Sequence, residues 1–171
     1  KNIPLIKMGD IGRGETKCID NENIQYGIDL DPIILRKGDI LFNTRNTPQL
    51  VGKTAIFSSS GQYTFDNNLM RLRCTEFVRP SYLNQVMNSG VMLQKLFSIS
   101  SGTTSVAAIY WNDLKKIKIK LPPLDVQDRK SVHIYSLEKV KIKLNYKIEC
   151  LRNLKMSVSS DFLSGKKRVN V

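Results

Sequence analysis

The spacing of apolar residues changes at Pro122-Pro123, and that change limits the folds open to this chain more than any other feature. Beyond the two prolines, Leu137, Leu144, Leu151 and Val158 stand seven apart. Val140 and Leu154 fill the intervening positions of the same seam, and Ile148 and Phe162 lie one step off it. A sustained seven-residue repeat describes a helix that packs lengthwise on another helix, because it keeps one stripe turned toward one partner. Lys147 falls on the seam, where a polar group is tolerated and sets register or pairing. The helix is expected from about Leu124 to Ser160, roughly 55 Å at 1.5 Å per residue, too long for a small domain's surface to cover. Its stripe then needs a partner from outside the preceding region; the alternative is a helix folded back on its own domain. The stop is expected near Asp161 to Gly165, since glycine suits a helix C-terminus. Lys166, Lys167 and Arg168 follow, either set against the negative end of the helix dipole or forming a separate basic tail.

Before the prolines the period is short. Ile3 to Met8 reads as a strand closed by Gly9-Asp10, and Asp39 to Phe42 follows the turn signal Lys37-Gly38. Thr54 to Phe57, Leu69 to Arg73 and Ile117 to Leu121 complete the strand set, the last alternating strictly between apolar residues and lysine. Such alternation buries one face and leaves the other in solvent. One helix is expected from about Ser81 to Phe97, with Tyr82, Val86, Met87, Leu93 and Leu96 as its apolar stripe. The expected fold is therefore α+β: a mixed-sheet domain at 1–122, one long helix of coiled-coil type at 123–163 and a basic tail at 164–171.

Size and charge narrow the function. The chain has 171 residues, enough for one packed domain and an added element. Lys plus Arg number 27 against 15 acids, a net charge of +12 that favours a polyanion as partner. No apolar run approaches the roughly 18–20 residues of a membrane span, and no basic amphipathic stretch carries an aromatic face. Three scattered cysteines, Cys18, Cys74 and Cys150, with the single His133, make neither a disulfide framework nor a metal cluster, and fit a reducing cytoplasm. A start at Lys1 without Met or signal peptide suggests a fragment.

Catalytic patterns are missing. Gly9 to Gly14 is glycine-rich without the spacing of a nucleotide loop, and reads as a turn. Glu15-Thr16-Lys17 has its nearest upstream acid, Asp10, in that same turn, which is no nuclease site. Pro122-Pro123 follows Leu121 rather than the Asn of an amino-methyltransferase, and His133 sits on the helix seam without a Ser/Asp set. What remains is polar chemistry suited to DNA. Asn43 to Gln49 precedes Gly52-Lys53; an arginine such as Arg45 can pair with guanine, and an amide such as Asn46 or Gln49 with adenine, in a major groove, while Thr47 and Lys53 suit phosphates. A second hydroxyl-rich loop runs from Ser98 to Ser105, with Thr103, Thr104 and Ser105 at its end and Tyr110-Trp111 beyond. Lys7, Arg13 and Lys17 add cations. An ordinary solvated turn explains either loop alone.

The residues that carry most of this also resemble a known family. Gly38 to Arg45 followed by Gly52 to Ala55 resembles the central block of target-recognition domains in type I restriction–modification specificity subunits. Ser101 to Thr104, Ile109, Asp113-Leu114, Ile117 to Leu124 and Gln127 are similar to the block that closes such a domain and opens the spacer helix. Phe162 to Gly165 with Arg168-Val169 is similar to the end of that helix. The resemblance implies a non-catalytic DNA-sequence-reading module for one half of a split site. It implies a coiled coil through Leu137, Val140, Leu144, Ile148, Leu151, Leu154 and Val158, with a second half-subunit or a second copy of the chain. It implies docking of DNA methyltransferase subunits that bring S-adenosylmethionine, and of restriction subunits that bring ATP and Mg2+. It also implies that residues precede Lys1, so that the chain is a C-terminal half or a half-length subunit. Two alternatives stand beside it: the same domain serving a type II restriction–modification enzyme, and a coiled-coil scaffold with a basic surface.

Overall fold

A computed structural model describes residues 2–18, 22–25 and 33–165. The expected basic tail beyond Gly165 lies outside the described residues. Among the described residues, ten strands precede or interleave three short helices: β1 (Asn2–Ile6), β2 (Gly14–Glu15), β3 (Asn23–Gln25), β4 (Ile40–Asn43), β5 (Arg45–Asn46), β6 (Thr54–Ile56), β7 (Thr64–Phe65), β8 (Leu69–Leu72), α1 (Pro80–Met87), α2 (Gly90–Ile99), β9 (Ser101–Gly102), β10 (Ala107–Ala108) and α3 (Trp111–Leu114). A single long helix, α4 (Leu124–Leu163), follows. The α+β expectation holds. The chain divides into two units, Lys1–Ser131 and Val132–Val171, so the first two turns of α4 belong with the domain.

The strands form three small sheets, ordered β3-β1-β7, β5-β10-β9 and β2-β6-β4-β8. In the largest, β4 runs antiparallel to both β6 and β8, while β2 joins β6 in parallel. All four residues of β4 are buried, which explains its continuous apolar run: both of its faces are covered. Side chains alternate across a strand, and here Leu41 joins one core cluster and Phe42 the other. Leu41 packs with Ile6, Ile11, Ala55, Phe57 and Leu69. Phe42 packs with Val51, Met87, Met92, Leu96, Ile109 and Leu114, the side where α1, α2 and α3 sit.

Three expectations need correction. The single helix from Ser81 to Phe97 is two helices, with Asn88 and Ser89 between them. Asn88 turns its amide onto the carbonyls of Thr54 and Asn84, at 2.8 and 2.9 Å, and Ser89 Oγ accepts from the Met92 N–H to cap α2. Short polar side chains compete with the helix for its own backbone, and at Asn88 and Ser89 they win. The apolar stripe still holds: Tyr82, Met87 and Leu96 are buried, and Val86 and Leu93 pack on the same cluster. Ile117 to Leu121 is not a strand. Ile117 and Ile119 do pack on the core, but the segment leaves α3 through a turn in which Ile117 N–H bonds to Leu114 O, and it joins no sheet among the described residues. β1 ends at Ile6 rather than Met8, because Asp10 accepts from the Lys7 N–H at 2.8 Å and bends the chain there.

Gln127 fastens the start of α4 to the domain. It is 1% exposed, its Nε2 donates to the carbonyls of Phe77 and Pro122, and its Oε1 accepts from Arg79 N–H. Tyr82 donates its hydroxyl to Lys120 O nearby. The far end of α4 is Leu163, inside the stop expected at Asp161 to Gly165, where Gly165 takes φ 72° and its N–H bonds Phe162 O. A helix of 40 residues is about 60 Å long.

Candidate nucleic-acid interface

The first polar segment is mostly not a loop. Asn43 ends β4 with its side chain buried, and its Oδ1 accepts from Arg45 N–H at 3.2 Å. That local bond turns the chain out of β4 and into β5, which leaves Arg45 exposed. Asn46 accepts from Thr47 N–H with its own Oδ1, and a tight turn follows in which Leu50 and Val51 donate to Thr47 O. This turn carries Thr47 and Gln49 into solvent.

The second segment is a hairpin rather than a flexible loop. β9 and β10 pair antiparallel, and β10 pairs on its other side with β5. Ala107 lies opposite Asn46, and Ala108 opposite Arg45. Gly102 makes the hairpin possible: at φ 144°, a Cβ there would stand 2.1 Å from Val106 O. Thr103 Oγ1 accepts from Val106 N–H, so the exposed tip at Thr103, Thr104 and Ser105 is braced by its own side chains. One three-stranded sheet thus brings together the two segments that the sequence could only treat separately.

The segment from Lys7 to Lys17 joins them. Asn46 Nδ2 reaches Met8 Sδ at 3.7 Å, and Arg13 donates to Gln49 O at 3.1 Å. Lys53 lies deeper, with its ammonium on Ile11 O at 2.9 Å. Burial, then the positive field of Arg13, holds Lys53 below the usual lysine range. Lys53 therefore serves partly as an internal tie. Lys7 is paired with Glu22, which raises its own pKa through the shared bond and locally offsets its charge. Arg13, Lys17 and Arg45 are exposed. Tyr110, at the start of α3, is 56% exposed. Among the described residues no group of three or more His, Cys, Asp or Glu is arranged to hold a metal ion. No helix there is long and apolar enough to cross a membrane.

The second unit carries the other expected surface. Leu137, Val140, Leu144, Ile148, Leu151, Leu154 and Val158 are 39–69% exposed. Sequence reasoning missed a second stripe. Tyr135, Ile142, Met156 and Leu163 also recur in sevens, with Glu149 at the intervening place, and all four are exposed. At about 100° per residue these fall on the side of the helix opposite the first seam. The signal was legible in the same spacing, hidden because one seam was enough to explain a helix.

Comparison with known proteins bears on both surfaces. Residues 1–153 match the sequence profile of the type I restriction modification DNA specificity domain. A Haemophilus influenzae protein carrying the name of a type I restriction enzyme specificity subunit is 31% identical over 133 residues, covering 75% of this chain and 31% of that protein. A Methanocaldococcus jannaschii protein named as the MjaX specificity subunit is 28% identical over 120 residues, covering 69% of this chain and 28% of that protein. The chain spans less than a third of the length of these two relatives. The HsdS subunit from Thermoanaerobacter tengcongensis shares the fold with a TM-score of 0.68 at 22% identity, over 94% of this chain and 42% of that one. A chain from a structure of type I R-M complex assembly and conformational transition gives 0.68 at 21% identity, over 91% of this chain and 36% of that one.

Proposed function

The chain belongs to the type I restriction modification DNA specificity family, and from that membership we propose that it reads one half of a split DNA site without catalysis of its own. The observation that carries this reading is the convergence of Arg13, Arg45, Asn46, Thr47 and Gln49 with the hydroxyl tip at Thr103 to Ser105. Guanidinium groups match phosphates or base edges, amides match base edges, and hydroxyls and lysines match phosphates. The test is a gel shift of random duplex DNA with the purified chain and with Arg13→Ala/Arg45→Ala, in the presence of an acidic polypeptide as competitor. Binding that the double variant loses, and that the polypeptide does not displace, supports the reading. Displacement by the polypeptide as readily as by DNA favours the scaffold alternative.

The helix supports an assembly role within the same reading. We infer that the seam from Leu137 to Val158 pairs with a second such helix, from another copy or a second half-subunit. The opposite stripe, Tyr135 to Leu163, then serves a methyltransferase subunit. Methyl transfer from S-adenosylmethionine, and cleavage with ATP and Mg2+, belong under this reading to partner subunits, as does the choice between a type I and a type II system. The domain at 1–122, the spacer at 123–163 and the tail at 164–171 divide these tasks.

A further inference from the structure

The reading segments leave unexplained an open cleft of about 530 Å3 beside them. Its walls come from three places in the sequence: Thr44-Arg45, the turn at Asn67-Asn68 between β7 and β8, and Tyr110-Trp111 after β10. Thr44 ties the three together. Its N–H and Oγ1 both donate to Asn68 O, at 2.9 and 2.8 Å, and its carbonyl accepts from Ile109 N–H at 2.8 Å. Trp111 is 53% exposed, although a large ring gains more than most side chains from burial. The lining includes Arg45 and Arg71 and no carboxylate. Arg71 is already bonded to Ile34 O, so it contributes field more than a free fork.

Exposed rings, an exposed guanidinium and paired amides suit a nucleotide strand. Rings pack on sugar or base, a guanidinium meets phosphate, and an asparagine amide matches an adenine edge. An acidic protein would satisfy the arginines but leave the two amides without a matching role. The cleft is also continuous with β5, whose Arg45 and Asn46 are already assigned to DNA. We propose that the cleft takes the DNA strand at the border of the read segment, with a sugar or base against Trp111, a phosphate on Arg45, and the Asn67 and Asn68 amides on neighbouring base edges. This rests on the DNA-reading function above and adds to it a fourth segment, the β7–β8 turn.

Trp111 is the only tryptophan in the chain, so its emission reports this cleft alone. The experiment follows anisotropy of a labelled duplex and Trp111 emission in one titration. It then compares sequences selected from a randomised duplex pool by the unaltered chain and by Asn67→Ala/Asn68→Ala. Emission should change saturably in step with anisotropy. The double variant should lose roughly tenfold discrimination at one or two base positions. Its melting curve should match the unaltered chain, since both changes lie in a surface turn. Anisotropy that reports binding while Trp111 emission stays fixed overturns the proposal and leaves the DNA reading standing. So does an unchanged set of selected sequences, or an emission change that polyglutamate reproduces. Failure of any duplex to bind removes the DNA reading itself, and this proposal with it.

Discussion

Two buried polar residues show how much of the domain rests on single side chains. Gln127 satisfies three backbone groups at once, and a leucine of similar size would leave the Phe77 and Pro122 carbonyls and the Arg79 N–H unpaired. Gln127→Leu should cost about 2–4 kcal/mol, read as a lower urea midpoint at unchanged slope. An unchanged midpoint would show that α4 is held by something else. Asp39 is 2% exposed and takes a forked pair of bonds from Arg73, both at 2.7 Å, plus the Arg36 N–H. Burial pushes its carboxyl up, but Arg73 and Arg36 outweigh that and hold it below its ordinary 3.8. A lowered folded pKa means the unfolded chain takes up the proton first as pH falls. The contribution of Asp39 is therefore full above about pH 4 and shrinks as pH falls further, toward its folded value. Asp39→Asn should lose about 1–3 kcal/mol at neutral pH, a gap that narrows in acid and that unfolding at a series of pH values will measure.

At the scale of elements, pattern proved a better guide than pairing. The alternation at Ile117 to Lys120 does divide apolar from charged side chains, yet the segment joins no sheet among the described residues. A strand needs a neighbour, and the neighbour is set by the fold rather than by the segment. The helix expected over Ser81 to Phe97 failed at Asn88 and Ser89, whose side chains had better local partners. For α4 the pattern was sufficient, because an exposed helix with a regular seam carries its own instruction. Leu144 and Leu151 are 53% and 64% exposed, so replacing both with Glu should leave the stability of the domain within about 0.5 kcal/mol. The same change should abolish pairing through the seam. Sedimentation equilibrium will decide it: a self-association that survives the double change would move the interface to the Tyr135 stripe.

For the molecule as a whole, charge is the property that reaches furthest. A net charge of +12 draws any polyanion, but only cations that meet phosphates release counterions. If Arg13, Lys17 and Arg45 do so, with Lys53 largely tied to Ile11, log affinity should fall with log salt at a slope near −3, at about −0.9 per phosphate. A slope near zero in a salt series would separate the charge from the function. The family, the α+β class, the long helix and the Arg45–Gln49 segment were legible in the residue order, because each depends on neighbours in sequence: a period, a turn residue, a short motif. The union of β5 with the Thr103 hairpin, the bond from Arg13 to Gln49 and the cleft around Trp111 were not. They depend on hydrogen bonds between residues far apart in the chain, which only the packed sheets bring within reach.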